Sequence, residues 1–451
     1  MKIFNNISKI IQNCVYAILL SLLIILVSCS SNNKTNRSVV ELQSIDENTE
    51  TEITVWGWNV AAKALMETAK TFNEKYPKIK VNVQEFGGPP QLYEKAGVVL
   101  SSGQGVPDII QIESDFIQTY AEAYPQMFLD MKSIAPSDID KKVDPSKVPT
   151  SYDSEGRLIS IPWDSGPVVV YYREDLFRQI GINPNSIETY EDLIRVGKEL
   201  QSKLPNVKLT GFGFTRDDGI WRQLMVQNNI YYLDTNGNIT LSSKRAVESM
   251  QMVKRLIDEG LVFNTVDWNS GIIAHKNGDI ALSFYGGWWG GTMKDQMPEM
   301  RGKWRIMPMP AYTKGGVRAS SLGGSTLTIT ATEDIKIAAS WAFVEHSLLT
   351  VDSQLLMYDK FGLFPSYLPA YEDDRFKQPD PYFGNQNYNE ILGDVTKNIL
   401  PAIYNSEDYS DLRNIAVSAY EEIVNNNSDI QKTLDKAAEQ AQSVTGRKIV
   451  K

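Results

Sequence analysis

In Gly278–Gly291, GDIALSFYGGWWGG, a strand pattern runs straight into a turn of glycines and tryptophans. Ile280 to Phe284 alternates small and apolar residues and is rich in strand formers, which predicts a buried strand. The chain then breaks into Gly286, Gly287, Trp288, Trp289, Gly290 and Gly291. Glycines here permit a sharp turn and the close approach of another body. Two adjacent indoles on such a turn cannot both enter one core, so at least one is expected to face a cleft. The alternative is a plain turn with two half-buried tryptophans. Flat, rigid aromatics at a strand end suit a ring-shaped solute.

Composition sets the outer bounds. The chain has 451 residues, 42% of them hydrophobic and 10% aromatic, which is enough for two or more lobes with real cores. A net charge of -10 and the lack of a basic stripe argue against a nucleic-acid partner. The acidity suits a neutral or cationic solute better than an anion. Both cysteines, Cys14 and Cys29, lie in the first thirty residues, so the rest has no disulfide and no thiol nucleophile. The two histidines, His275 and His346, fall in helical patterns and are expected to be structural. No catalytic residue, metal or cofactor is expected.

The leader is basic at Lys2 and Lys9, then apolar from Cys14 to Val27. This run is short for a membrane span, which needs about 20 residues, and fits the core of an export signal. It ends in Leu26, Val27, Ser28, Cys29. That ending resembles the bacterial lipobox, in which the cysteine is acylated and becomes the mature N-terminus. The expected division is a signal peptide over 1–28 and a polar, flexible tether over 29–50.

From residue 51 the pattern is β-α-β-α-β. Strands at 51–56, 80–85 and 108–112 end in Trp56, Trp58 and Asn59, in Gly87 and Gly88, and in Glu113 and Asp115. Crossover helices of this kind imply a largely parallel sheet with ligands beyond the carboxyl ends of its strands. Leu158 to Ile161 is a further strand, ended by Pro162, Trp163 and Asp164, and Val168 to Tyr172 follows at once, which places a crossing between lobes here. Thr189 with Asp192 reads as a capping box. Trp221 opens a helix after Arg216, Asp217 and Asp218. Asp234 to Asn238 reads as an Asn-Gly hairpin rather than a calcium loop. Lys303 to Pro310 reads as an edge strand or linker. Ser320 to Thr330, SSLGGSTLTIT, reads as the return to the first lobe, and Phe361 to Pro365 as a loop that closes over the cleft. The tail from Tyr388 is mostly helical.

These segments together resemble extracellular solute-binding lipoproteins of carbohydrate ABC importers, the maltose-binding-protein-like group. VPDIIQIESDF is similar to the family strand ending in an acidic, ligand-contacting turn. GRLISIPWDSGPVVVYYREDLF resembles the passage from lobe one to lobe two, and TYEDL a helix start. GDIALSFYGGWW with GKWRIMPMP resembles the Gly-aromatic turn and return segment, and LGGSTLTIT the re-entry. The resemblance implies an α/β, two-lobed periplasmic-binding-protein-like fold, each lobe a mainly parallel sheet flanked by helices, joined by hinge crossings. Lobe one is expected over 51–162 and 315–367, lobe two over 163–314 and 368–451. The implied role is capture of a neutral oligosaccharide for an ABC permease by a monomer lipid-anchored through Cys29 outside the cytoplasmic membrane. The implied contacts are Glu113, Asp115, Asp164, Trp288, Gly323 to Ser325, and Phe364 with Pro365. WGWN and the doubled tryptophan depart from a maltose receptor.

Indoles cover the C–H faces of a sugar, and carboxylates and amides pair its hydroxyls. Of nine tryptophans, Trp56, Trp58, Trp163, Trp221, Trp268, Trp288 and Trp289 fall at strand ends or turns. The expected ligand contacts are therefore Trp56, Trp58, Asn59, Glu113, Asp115, Asp164, Trp221, Trp268, Tyr285, Gly287, Trp288, Trp289, Gly323, Gly324, Ser325 and Phe364. A secreted glycoside hydrolase would also show tryptophans and paired carboxylates, and needs them at a set separation across one bond. A surface scaffold lipoprotein would have neither closure nor a small ligand.

Overall fold

In the computed structural model the chain is described over residues 40–330, 332–400 and 406–450. The signal segment, Cys29 and most of the tether lie outside these residues. Glu41–Lys451 forms one compact unit, which holds both lobes. No helix among the described residues is long and apolar enough to cross a membrane.

Lobe one opens with β1 (Thr51–Trp58), α1 (Asn59–Lys75), β2 (Ile79–Phe86), α2 (Pro89–Ser102), β3 (Ile109–Glu113) and α3 (Ile117–Ala123). Helix α1 buries Leu65, Ala69 and Phe72, which recur at helical spacing along one face. Strand β1 pairs in parallel with β2 and β3, as the crossover helices require. The chain leaves through β4 (Ile161–Pro162).

Lobe two runs through β5 (Val169–Arg173), α4 (Glu174–Ile180), α5 (Tyr190–Lys203), β6 (Thr210–Phe212), α6 (Gly219–Gln227) and α7 (Lys244–Asp258). It continues with β7 (Val262–Asn264), α8 (Trp268–Asn277), β8 (Leu282–Tyr285), α9 (Trp289–Gln296) and β9 (Trp304–Pro308). The Thr189–Asp192 capping box starts α5 as expected. The Asp234 carboxylate accepts the Asn236 and Asn238 amides, so that stretch is a turn. Strand β10 (Ser325–Ile329) returns to lobe one, followed by α10 (Asp334–Leu348) and α11 (Val351–Phe361), which pack on α1. Helices α12 (Tyr388–Lys397), α13 (Tyr409–Asn426) and α14 (Ile430–Thr445) complete the chain, α13 and α14 packing on α7 of lobe two.

The two-lobed α/β architecture stands, with one difference in strand direction. The lobe-one sheet has the order β2-β1-β3-β10-β4, and lobe two has β8-β5-β9 beside a β6-β7 pair. Strand β10 is antiparallel to β3 and β4, and β5 is antiparallel to β8 and β9. The lobe-two ladders around β5 are thus antiparallel where a mainly parallel sheet was expected. The reason is the route. Strands β10 and β5 enter their lobes directly from a crossing and run away from the hinge, whereas strands that follow a crossover helix run toward it.

The hinge is three extended segments side by side. Asp164 bridges Pro365, and Pro167 bridges Ser321. The Ser165 amide donates to Phe364 O at 2.8 Å, and the Leu322 amide to Gly166 O at 2.8 Å. Phe361 to Pro365 is therefore not a lid. It is the third crossing, and Phe364 has 0% exposure.

The glycines of the opening stretch serve packing within the chain. A Cβ on Gly290 would lie 2.2 Å from the Tyr388 hydroxyl, and one on Gly291 2.9 Å from Gly362 Cα. The body they let approach is the chain itself. Gly291→Ala is expected to destabilise the protein by about 1–3 kcal/mol, since backbone lies in the way of the methyl group. A urea midpoint lowered at unchanged slope would confirm it, and an unchanged midpoint would refute it.

Candidate functional site

The re-entry turn Leu322–Ser325 is where the expected site residues meet. Leu322 O accepts the Trp288 indole N–H at 3.0 Å. Gly323 O accepts the Lys147 ammonium. Gly324 O accepts the Ser114 amide at 3.0 Å. The Ser325 amide donates to Asp164 Oδ1 at 2.8 Å, and the Ser325 hydroxyl accepts Gln111 Nε2 at 3.0 Å. Gln111 Oε1 in turn accepts the Trp58 amide at 3.0 Å. Gly323 and Gly324 sit at φ 70° and 102°, and a Cβ on Gly324 would lie 2.6 Å from Asp164 O. Only glycine fits there.

On the lobe-two side, α8 and the β8–α9 turn build an aromatic cluster. Asp267 and Ser270 form a capping box that sets the start of α8 and so the position of Trp268. Trp268 is 48% exposed, the most open tryptophan among the described residues. Its ring centroid lies 6.0 Å from Trp288 and 6.4 Å from Tyr285. Trp289 lies underneath, 1% exposed, stacked on Tyr285 at 4.4 Å and edge-on to Trp268 at 5.1 Å. Of the doubled pair, Trp288 is half-buried at the turn and Trp289 is core. His275 is buried beneath, its Nδ1–H donating to Gly271 O at 2.6 Å while Nε2 accepts the Ser283 hydroxyl. Burial pushes the His275 imidazole down to about 4.

On the lobe-one side, Trp58 ends β1 and Asn59 begins α1 at φ 49°, a left-handed backbone that Asn tolerates, with its side chain exposed. Trp58 is 9% exposed and meets Tyr93 edge-on at 6.0 Å. Tyr93 accepts the Glu113 amide at 3.0 Å and donates to the Glu113 carboxylate at 3.1 Å. Burial, then the neighbouring Asp115 charge, raises the Glu113 carboxyl. Asp164 is buried as well, and desolvation pushes it up to about 6 despite the Ser325 amide and nearby Lys147. Asp115 is engaged by Arg222 and Tyr409 of lobe two.

Several expected contacts are enclosed instead. Trp221 has 0% exposure and donates its indole N–H to Ala246 O inside lobe two. Trp56 is 3% exposed, packed on Phe86 with the Lys95 ammonium 4.5 Å from its ring centroid. Trp289 and Phe364 are core. A strand end places these residues near the cleft edge, but the ring direction is set by the helix packed behind. Sequence reasoning missed Gln111, Lys147, Arg222 and Tyr409. A signal was present for Arg222, four residues after Asp218 on one helix face.

A family model described as bacterial extracellular solute-binding protein matches residues 57–348. The arabinooligosaccharide-binding protein of Bacillus subtilis (strain 168) is 26% identical over 450 residues, 94% of this chain and 97% of its own length. The lactose-binding protein of Rhizobium radiobacter is 27% identical over 349 residues, 74% of this chain and 79% of its own. The ABC transporter associated binding protein from B. animalis subsp. lactis Bl-04, solved in complex with beta-1,6-galactobiose, superposes with a TM-score of 0.73. It is 22% identical, with 89% of this chain and 100% of that one covered, and shows the shared fold.

Asp164 and His275 give opposite pH dependences. A carboxyl raised from 3.8 to about 6 contributes stability that is lost as pH rises through that window. An imidazole lowered from 6.5 to about 4 contributes stability that is gained as pH rises from about 4 to 6.5. Asp164→Asn keeps an oxygen for the Ser325 amide and removes the first dependence. The melting temperature of the variant relative to the parent is expected to rise between about pH 4 and 6. A flat difference would place the Asp164 carboxyl in the ordinary range.

Proposed function

The chain belongs to the bacterial extracellular solute-binding protein family, and from that premise we propose that it captures a neutral oligosaccharide between its lobes for an ABC importer. The observation that carries the sugar reading is the half-exposed Trp268 beside Trp288 and Tyr285, set next to the polar re-entry turn. Indole faces cover the apolar faces of sugar rings, and the polar groups at the turn and at Asn59 and Glu113 pair hydroxyls. Buried hydroxyls left unpaired would each cost about 1–3 kcal/mol, which gives selectivity. The named ligands of the similar proteins, arabinooligosaccharides, lactose and beta-1,6-galactobiose, support a di- or oligosaccharide. The family is one of binding proteins, so the hydrolase reading falls away.

The anchor and the finer layout belong to the same proposal. Cys29 is the acylated residue, residues 29–50 are the tether, and the body works as a lipid-anchored monomer outside the cytoplasmic membrane, in the periplasm where the host has two membranes. Lobe one comprises 51–162 and 315–367, and lobe two 163–314 and 368–451. Ligand-binding roles rest on Trp58, Asn59, Glu113, Asp164, Trp268, Tyr285, Gly287, Trp288 and Gly323 to Ser325.

Thermal unfolding of residues 31–451 against arabino-oligosaccharides, lactose and other β-galactosides tests the reading. A ligand at about 100 times its dissociation constant is expected to add roughly 2.7 kcal/mol, with altered tryptophan emission. Trp268→Ala is expected to weaken that ligand about tenfold, from lost stacking of roughly 0.5–1.5 kcal/mol and lost burial. No response to any sugar would contradict the ligand class. Turnover of an aryl glycoside would contradict the binding role.

A further inference from the structure

The acidic turn after β3 and the first turn of α6 face each other from different lobes, each beyond the carboxyl end of a strand. Such edges line the cleft in open α/β sheets. Asp115 does not stand open there, for its side chain is only 12% exposed. Its Oδ2 lies 3.3 Å from Arg222 Nη1 and accepts the Tyr409 hydroxyl at 3.2 Å. Arg222 Nη1 also donates to the Tyr409 oxygen at 3.3 Å, closing a triangle.

Two corners of the triangle are anchored in lobe two. Arg222 Nε stands 3.0 Å from the buried Asp218 carboxylate, and Nη2 donates to Asp217 at 3.3 Å. Tyr409 opens α13 and stacks on Tyr232 at 5.9 Å. The third corner belongs to lobe one, where Phe116 meets Tyr409 edge-on at 5.1 Å. The three crossings join the lobes covalently, and this triangle joins them through hydrogen bonds and an ion pair. A partly buried ion pair that shares a hydroxyl is costly to break on one side.

We propose that Asp115, Arg222 and Tyr409 form a clasp that sets the population of closed lobes, so that they tune solute affinity without touching the solute. Apparent affinity scales with the fraction of protein in the competent state. The effect on affinity rests on the receptor reading above, while the effect on lobe separation does not.

The body from residue 31 contains no cysteine, so Lys80→Cys on lobe one and Lys244→Cys on lobe two, both exposed, give two unique spin-label sites. Distances between the labels are measured in solute-free protein carrying Tyr409→Phe, Asp115→Asn, both, or neither. Tyr409→Phe keeps the stacked ring, so it preserves the packing should Asp115→Asn unfold the protein. Each single variant is expected to shift the distribution to longer distances, and the double variant no further than the larger single. Any sugar that binds the parent should bind both variants several-fold more weakly. Superimposable distributions for all four proteins would overturn the clasp. So would Asp115→Asn weakening binding at unchanged distance, which would make Asp115 a solute acceptor. If the parent binds no sugar, the receptor reading fails and the label distances still decide the clasp.

Discussion

Everything in the site hangs on one short piece of backbone, Leu322–Ser325. Its carbonyls and amides hold Trp288 from lobe two, Ser114 from the acidic turn of lobe one, Lys147, and Asp164 of the first crossing. Through Gln111 the same turn reaches the end of β1 at Trp58. The turn exists because two consecutive glycines take up positive φ values, and at Gly324 a side chain would also strike Asp164 O. On the proposed reading, the lobes close about a turn whose hydrogen bonds within the fold are already made. Little further ordering is then required when a solute arrives, which favours affinity.

The buried acidic groups near this floor differ in how they are held. Asp144 is fully buried, yet Ser146 supplies its amide and hydroxyl at 2.8 Å and Ser165 its hydroxyl at 2.6 Å. A carboxylate so satisfied can stay inside the fold. Burial raises the Asp164 carboxyl, with the Ser325 amide and Lys147 opposing the rise. His275, enclosed under the aromatic cluster, stays neutral across the physiological range, so the platform above it carries no titrating cation.

Order and pattern were legible in the sequence wherever local physics decides. The opening β-α-β-α-β run, the Thr189 capping box, the Asp234 turn and the return through Ser320 to Thr330 all follow from periodicity, caps and glycines. Ring direction was not legible. Trp221 and Trp289 occupy positions equivalent in local pattern to Trp268, yet α7 covers the first and Trp268 with Tyr285 cover the second. Phe364 read as a loop residue because nothing local shows that a third chain segment will cross beside two others. Gln111 stands among Ile109, Ile110 and Ile112 with no local signal that sets it apart. Its role as the link between β1 and β10 depends on which strands become neighbours.

The central claim is that two lobes shut on a sugar about the Leu322–Ser325 floor. Small-angle X-ray scattering of residues 31–451, with and without a saturating oligosaccharide, tests it most directly. The account predicts a smaller radius of gyration and a shorter maximum dimension with sugar bound, at unchanged mass. A sugar that binds at saturation and leaves the scattering curve unchanged would contradict it.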